Sequence, residues 1–398
     1  MVHGSAELIL SLNQIYSSVA GLAADRGKEG SLKILSIFGT RPEAIKMAPV
    51  VKALKNHPDR ITSIVCVTAQ HRQMLDQVLS LFEIEPDFDL NLMRPDQSLA
   101  QITASALTEI DAVLREVKPD WVLTQGDTTT AMVGALAAFY HRINVGHVEA
   151  GLRTWDKYQP FPEEINRKIA DAVCDLHFAP TTQSHDNLLR EGVSESSIVV
   201  TGNTVIDALL DVAEREYDWS ASELAAVPRD KQLILVTAHR RENFGQPLEE
   251  ICKGLKEIAA RFADVHLVYP VHLNPNVQKV VQAELSSVAN ITLLAPLDYL
   301  PLVQLMKASS IVLTDSGGLQ EEAPGLGKPV LVLREVTERP EGVEAGTVKL
   351  VGTDKDRIVR ETARLLEDAQ EYERMAHAVN PYGDGHASQR IVESLLAS

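Results

Sequence analysis

Twelve short apolar runs divide this chain at regular intervals, and they restrict its fold more than any other property. In the first half they are KILSIF (33–38), ITSIVCVT (61–68), WVLTQ (121–125), INVGHVE (143–149), LHFAP (176–180) and SIVVTG (197–202). After a gap come QLILVTAH (232–239), DVHLVYPV (264–271), NITLLAP (290–296), SIVLTD (310–315), PVLVLR (329–334) and TVKLVG (347–352). Most are unbroken stretches of Val, Ile and Leu, the pattern of strands covered on both faces in a parallel sheet. Helical stretches such as PEAIKMAPVVKALKN, LAQITASALTEIDAVLREV and LEEICKGLKEIAARFA lie between them. The alternation predicts an α/β fold of doubly wound parallel sheets.

The gap predicts where the chain divides. After SIVVTGN comes TVIDALLDVAEREYDW, in which Thr204 and Asp207 have the spacing of a capping box. A polar stretch follows before the second strand series starts. The expected organisation is an extension (1–32), a Rossmann-like domain (33–203) and a second one (204–379) facing it across a cleft, with a last helix (about 380–398) returning to the first domain.

Composition narrows the function. The chain has 398 residues and a formal net charge of −17, so a basic footprint for nucleic acid is absent, although a local basic pocket can still hold a phosphorylated ligand. Cys66, Cys174 and Cys252 are far apart and in no metal-ligand spacing, which fits a reducing compartment. No run approaches the ~20 apolar residues of a membrane span, and no basic region precedes ELILSLNQIY near the start. The expected location is the cytoplasm, with no membrane partner, no metal and no cofactor.

Three strand ends run into turns suited to an anion. IVLTDSGGLQEEAPGLGKP (311–329) passes from a strand through Asp315, Ser316, Gly317 and Gly318 into a helix carrying Glu321 and Glu322. Free amides at such a helix start attract phosphate, and a carboxylate one turn on can accept from ribose hydroxyls. SIFGTRPEAIKMAPVV (36–51) repeats the strand, glycine turn and helix, with Arg41 and Lys46 added and Pro42 in the first helical turn. The bland reading of that motif is an ordinary turn with two solvated cations. In LVTAHRRENFG (235–245), His239 stands beside Arg240 and Arg241 and resists a further positive charge unless an anion is bound; otherwise it is a histidine satisfied by main chain.

Carboxylates gather at strand and helix ends of the first half. Asp127 follows a strand and a glycine in LTQGDTTT, so it sits on the sheet edge where ligands bind, or else caps the next helix. Glu149 ends the run INVGHVE, with His147 two residues back on the same face; Arg153 is the alternative partner for its charge. Glu163 and Glu164 follow Pro162 at a helix start, where the dipole alone would explain both, and Arg167 is spaced to pair with Glu163. Glu338 and Arg339 lie in a charged loop after a strand.

GTRPEAIKMAP, QGDTTT, HVEAGLRT, PEEINR, TGN, HRREN, PVHLNP, TDSGGLQEEAP and TERPEG follow one another in that order. In this order they resemble the non-hydrolysing UDP-N-acetylglucosamine 2-epimerases, from residue 33 to about 396. The resemblance implies the two-domain fold of B-type glycosyltransferases, with UDP in the cleft, and a homodimer. It implies that Arg41, Lys46, His239, Ser316, Gly317, Gly318, Glu322 and Arg339 hold UDP, together with Asp127 and Glu149 on the substrate. It implies Asp127, Glu149, Glu163 and His239 as the catalytic positions, and a product that feeds cell-surface polysaccharide synthesis. Some members bind a second UDP-N-acetylglucosamine as an activator. The matching positions are Gln70, His71, Gln73, Gln97, Glu163, Arg240 and His272, with Asp96 where those members carry a basic residue. Leu297 and Leu302 stand where Gln and Phe often surround the uracil.

The implied chemistry explains the acids. The sugar C2 proton is not next to a carbonyl, so its removal is coupled to loss of UDP from C1, giving 2-acetamidoglucal. UDP then adds back while a proton is delivered to the other face, and two faces require two proton-handling groups. The rival readings are an epimerase of a related UDP-amino-sugar uronate, a hydrolysing epimerase, a glycosyltransferase of the same fold and a non-enzymatic UDP-sugar sensor.

Overall fold

The computed structural model describes residues 30–69, 72–94 and 96–398. Most of the expected N-terminal extension, and Gln70 and His71, lie outside the described residues. The chain forms two parallel sheets. The first contains β1 (Leu32–Phe38), β2 (Ile61–Val67), β3 (Phe88–Asp89), β4 (Trp121–Gln125), β5 (Asn144–Val148), β6 (Leu176–Ala179) and β7 (Ile198–Val200). The second contains β8 (Gln232–Thr237), β9 (Val265–Pro270), β10 (Ile291–Leu294), β11 (Ser309–Thr314), β12 (Val330–Val332) and β13 (Val348–Leu350).

Their orders are β3-β2-β1-β4-β5-β6-β7 and β10-β9-β8-β11-β12-β13. Both sheets therefore reverse direction of winding beside their first strand, between β1 and β4 and between β8 and β11. A crevice opens at such a reversal, beyond the carboxyl ends of the strands. The turns after β1, β4, β8 and β11 carry Gly39, Asp127, His239 and Asp315.

The unbroken apolar runs become strands because both faces are covered; every residue of β4, and Leu233 to Thr237 of β8, is buried. All twelve expected runs contain a strand. The strand that the sequence did not mark is β3, only two residues long, which pairs Phe88 with Cys66 and Asp89 with Val67. Two residues are too few to show a periodicity.

Helix starts are set by side-chain caps. Thr40 and Glu43 form a capping box on the helix Arg41–Lys55, whose last turn carries Lys52 and Lys55 where the dipole favours cations. At the join between the sheets, the expected capping box of Thr204 and Asp207 is not formed. Asn203 caps the helix Thr204–Ala213 by accepting from the Val205 amide at 3.1 Å. Asp207 instead accepts from the amide and hydroxyl of Ser388, 2.8 and 2.6 Å, tying down the last helix, Ala387–Ala397.

That last helix packs on Arg41–Lys55 and Thr204–Ala213, and Thr204–Ala213 also packs on Tyr299–Ala308 and Gly317–Gly325. One apolar core runs across the join, from Ile34 and Met47 through Val205 and Leu209 to Val303 and Val312. The two sheets are thus joined through these helices, and Arg41, His239 and Ser316, from turns at the two reversal points, line a common cavity. No helix of the described residues is long and apolar enough to cross a membrane.

Candidate active site

A cavity of about 590 Å³ lies where the turns meet, lined by Arg41, Lys46, His239, His272, Ser316, Gly318, Glu322 and Arg339 among others. The helix Gly317–Gly325 starts on its wall. Ser316 occupies the cap position yet makes no side-chain capping bond, so its hydroxyl and the first amides stay available to a ligand. A Cβ at Gly318 would stand 3.3 Å from Glu322 Oε1, so glycine keeps this approach open. Leu297, Leu302 and Tyr299 form an apolar part of the wall. Burial pushes the Glu322 carboxyl up to about 7, against the hydrogen bond that the Tyr299 hydroxyl donates to it at 3.1 Å.

The turn after β1 departs from expectation. Its amides do not form a free anion nest, because Gly39 and Thr40 both donate to Glu43 Oε2, at 3.0 and 2.7 Å. Glu43 Oε1 also accepts from the Thr128 hydroxyl at 2.5 Å, so the buried acid links the turn after β1 to the turn after β4. The basic side chains remain: Arg41 and Lys46 reach the cavity from the helix that this turn starts.

Glu149 follows β5 at φ +67°, a backbone conformation strained for a non-glycine residue. Its carboxylate is buried and does not pair with Arg153. Lys46 Nζ donates to Oε1 at 2.5 Å, Asn203 Nδ2 donates to the same oxygen at 3.1 Å, and Gln125 Nε2 donates to Oε2. Burial would raise the Glu149 pKa, but Lys46 and then Arg339 and Asn203 overcome it and hold the group ionised below the usual range. Burial likewise opposes the charge on Lys46, and Glu149 and Glu321 override it.

His147 does not share that site. The positive φ at Glu149 breaks the two-residue alternation, and the imidazole is buried in the first domain's core. Nδ1 lies 2.5 Å from Asp171 Oδ1 and Nε2 lies 2.7 Å from the Gly126 carbonyl. Both partners are acceptors, so the site favours a ring that carries protons on both nitrogens. Burial would lower its pKa; Asp171 outweighs that and raises it. Arg153 Nη2 completes the cluster on Asp171 Oδ2 at 2.6 Å.

Asp127 is not the helix cap; Thr128 is. The Asp127 carboxylate accepts from Arg167 Nη2 at 2.6 Å, and its carbonyl accepts from Asn166 Nδ2 at 2.9 Å. Both donors come from the helix Glu163–Val173, so that helix is fastened to the Asp127 turn. Arg167 pairs with Asp127 and Glu164 rather than with Glu163. This leaves Glu163 Oε2 buried without a hydrogen-bond partner in the first turn of the same helix. None of Asp127, Glu149 or Glu163 lines the 590 Å³ cavity itself; Lys46 connects it to Glu149.

Of the expected activator positions, His272 stacks on His239, ring centres 5.3 Å apart, and shares the cavity wall. Arg240 Nη2 lies 3.7 Å from Glu338 Oε2. Gln73 lines a separate cavity of about 880 Å³ that meets the first at Arg41 and Tyr299. Gln97 lies in a loop, accepting from the Arg94 amide at 2.7 Å, and lines neither cavity. Among the described residues no group of three or more His, Cys, Asp or Glu is placed to hold a metal ion.

The sequence model of the UDP-N-acetylglucosamine 2-epimerases matches residues 52–396. The chain belongs to the UDP-N-acetylglucosamine 2-epimerase family. The UDP-N-acetylglucosamine 2-epimerase of Escherichia coli K12 is 58% identical over 370 residues, covering 92% of this chain and 98% of that protein. The Bacillus subtilis 168 enzyme of the same description is 57% identical over 365 residues, 92% and 95%. The crystal structure of the Neisseria meningitidis UDP-GlcNAc 2-epimerase bound to UDP-GlcNAc superposes with a TM-score of 0.82 at 52% identity, covering 92% of this chain and all of that one. The two facing parallel sheets are therefore the B-type glycosyltransferase-like fold of this epimerase family.

For an epimerase, the residues overlooked in the sequence are those that join the halves. Asn203, in TGN, donates to Glu149 and, at 2.9 Å, to Glu321 Oε2. Glu321, passed over in favour of Glu322, is buried and receives Arg339 Nε. The result is a continuous chain, Lys46–Glu149–Asn203–Glu321–Arg339, in which two buried acids are balanced by two cations. The two consecutive acids of LQEEAP were the one available signal; the partners are 54 and 118 residues from Asn203.

Proposed function

We propose that this chain interconverts UDP-N-acetylglucosamine and UDP-N-acetylmannosamine by eliminating UDP and adding it back. The supporting observation is the Lys46–Glu149 pair: one cation lines the nucleotide cavity and also holds a buried carboxylate in its ionised form. The working division is a first domain of 33–203 with the returning helix and a UDP-binding domain of 204–379.

In the forward half-reaction a carboxylate takes the C2 proton as the C1–O bond breaks, the C–H electrons form the C1–C2 double bond, and UDP departs with the C–O pair. In the second half-reaction a proton is delivered to the opposite face of C2 and the UDP oxygen rejoins C1. Glu149 and Asp127 handle the two protons, and Glu163, with its unsatisfied oxygen, orients or tunes them. Arg41, Lys46, Arg339, His239 and the Ser316–Gly318 turn hold the diphosphate through both halves, and Glu322 receives the ribose. The apolar wall of Leu297, Leu302 and Tyr299 suits the base. The same reading takes a second UDP-N-acetylglucosamine near Arg240 and His272 as activator, a homodimer as the assembly, and cell-surface polysaccharide synthesis as the destination of the product.

Product analysis tests the assignment. Incubation with UDP-N-acetylglucosamine is expected to yield UDP-N-acetylmannosamine with the nucleotide still attached. Free N-acetylmannosamine with an equal amount of UDP would show a hydrolysing enzyme, and unchanged substrate would contradict epimerase activity altogether.

A further inference from the structure

Asp315 follows β11 with its side chain fully buried, and its two oxygens are used unequally. Oδ2 accepts three hydrogen bonds, from the amides of His239 and Arg240, each at 2.8 Å, and from Asn243 Nδ2 at 3.0 Å. Oδ1 is buried with no hydrogen-bond partner, and His239 Nδ1 lies 3.4 Å from it. Leaving one oxygen of a buried carboxylate without a donor is unfavourable, so its orientation calls for explanation.

The placement is fixed by the sheet. β8 and β11 are neighbours in register, Thr237 beside Thr314, and the Asp315 amide donates to the Thr237 carbonyl at 3.0 Å. The chain leaving β8 is thus tied to Asp315 through the His239 main chain, which brings the His239 ring against Oδ1. One face of that ring stacks on His272.

We propose that Asp315 is a positioning residue for His239, its Oδ1 accepting the Nδ1 proton so that Nε2 is the nitrogen that takes up a second proton from solvent and, as part of an imidazolium, donates to the leaving diphosphate. The proposal rests on the epimerase reading of the cavity for the identity of that anion. A separation of 3.4 Å is long for a hydrogen bond, but hydrogen bonds of catalytic groups commonly shorten in the complex. Charge supports the arrangement. Burial, then His272 and Arg240, lower the His239 pKa, and Asp315 acts against them. Lys46, Arg339 and Glu322 line the same cavity. Without Asp315 the imidazole would lose the carboxylate that acts against burial, His272 and Arg240 in favouring its charged form before the diphosphate departs.

Asp315→Asn separates this role from simple anchoring of the turn. Three donors converge where Oδ2 lies, so the asparagine must keep its oxygen there and turn its NH₂ onto His239 Nδ1. The anchoring bonds persist while the tautomer reverses. In protein labelled with ¹⁵N-histidine, the wild type is expected to show His239 protonated at Nδ1, and Asp315→Asn at Nε2, with His239→Asn identifying the signals. The variant should lose roughly 10²–10⁴-fold in kcat with KM little changed, and Asp315→Asn/His239→Asn should be no slower than His239→Asn. Wild-type His239 protonated at Nε2 would overturn the proposal without recourse to any variant. So would an unchanged tautomer in folded Asp315→Asn, or losses that add in the double variant. The tautomer is read without substrate, so failure of this proposal is distinguishable from a wrong substrate.

Discussion

Glu149→Gln is expected to lower kcat by roughly 10²–10⁴-fold, the usual contribution of one positioned proton-transfer group. The substitution is close to isosteric, and its surroundings can accept it. With the amide oxygen in the place of Oε1, it still receives Lys46 and Asn203. The new NH₂ then faces Gln125, whose own amide can turn over to present its oxygen. Fold and affinity for UDP should therefore survive while the proton acceptor is lost. Steady-state kinetics together with UDP calorimetry check this. Near-normal kcat would remove Glu149 from the mechanism, and lost UDP binding would show that its role is to hold Lys46.

Lys46→Met should act through the opposite member of the pair. It leaves a carboxylate that is 6% exposed without its closest cation, and breaking such a pair from one side costs about 3–5 kcal/mol. Arg339 and Asn203 still favour the charge, so the lower end, about 3 kcal/mol, is expected. The wild-type Glu149 pKa lies below its unfolded value; its contribution to stability is present above that unfolded value and lost as pH falls through the folded one. Removing Lys46 leaves burial dominant, so the folded pKa rises and the acid limb of the kcat–pH profile should move to higher pH. Thermal melts and pH–rate profiles of Lys46→Met, Glu149→Gln and the double variant test this. The double variant should be more stable than Lys46→Met alone, because the buried charge is gone. A Lys46→Met protein as stable as wild type, with an unmoved acid limb, would contradict the pairing.

How much of this was legible in the sequence follows from the range of each interaction. Strand ends were legible because a parallel sheet covered on both faces writes itself as continuous Val, Ile and Leu, and the glycine turns after β4 and β11 mark where those runs stop. The positions of Asp127, His239 and Ser316 at the carboxyl ends of strands followed from that; that those strands flank the reversal points is seen only in the sheet order. The pairings did not. Asp315 looked like part of an anion turn, yet its oxygen is committed to amides 75 and 76 residues away. Gly39 and Thr40 looked like phosphate donors, but Glu43, within one helical turn, takes both amides first. His147 was assigned to the face of Glu149 because the alternation was carried one residue too far, through a positive φ that sequence does not display. Thr204 and Asp207 have the spacing of a capping box, but Asn203 is the cap and the bridge between two acids.

The decisive measurement follows hydrogen at the sugar C2 by NMR while the wild-type protein acts on UDP-N-acetylglucosamine in D₂O. Solvent deuterium should enter C2, and the manno epimer should accumulate with UDP still attached. Epimer carrying the original hydrogen, or recovered sugar nucleotide with no deuterium after long incubation, would contradict a mechanism in which buried carboxylates exchange that proton across the ring.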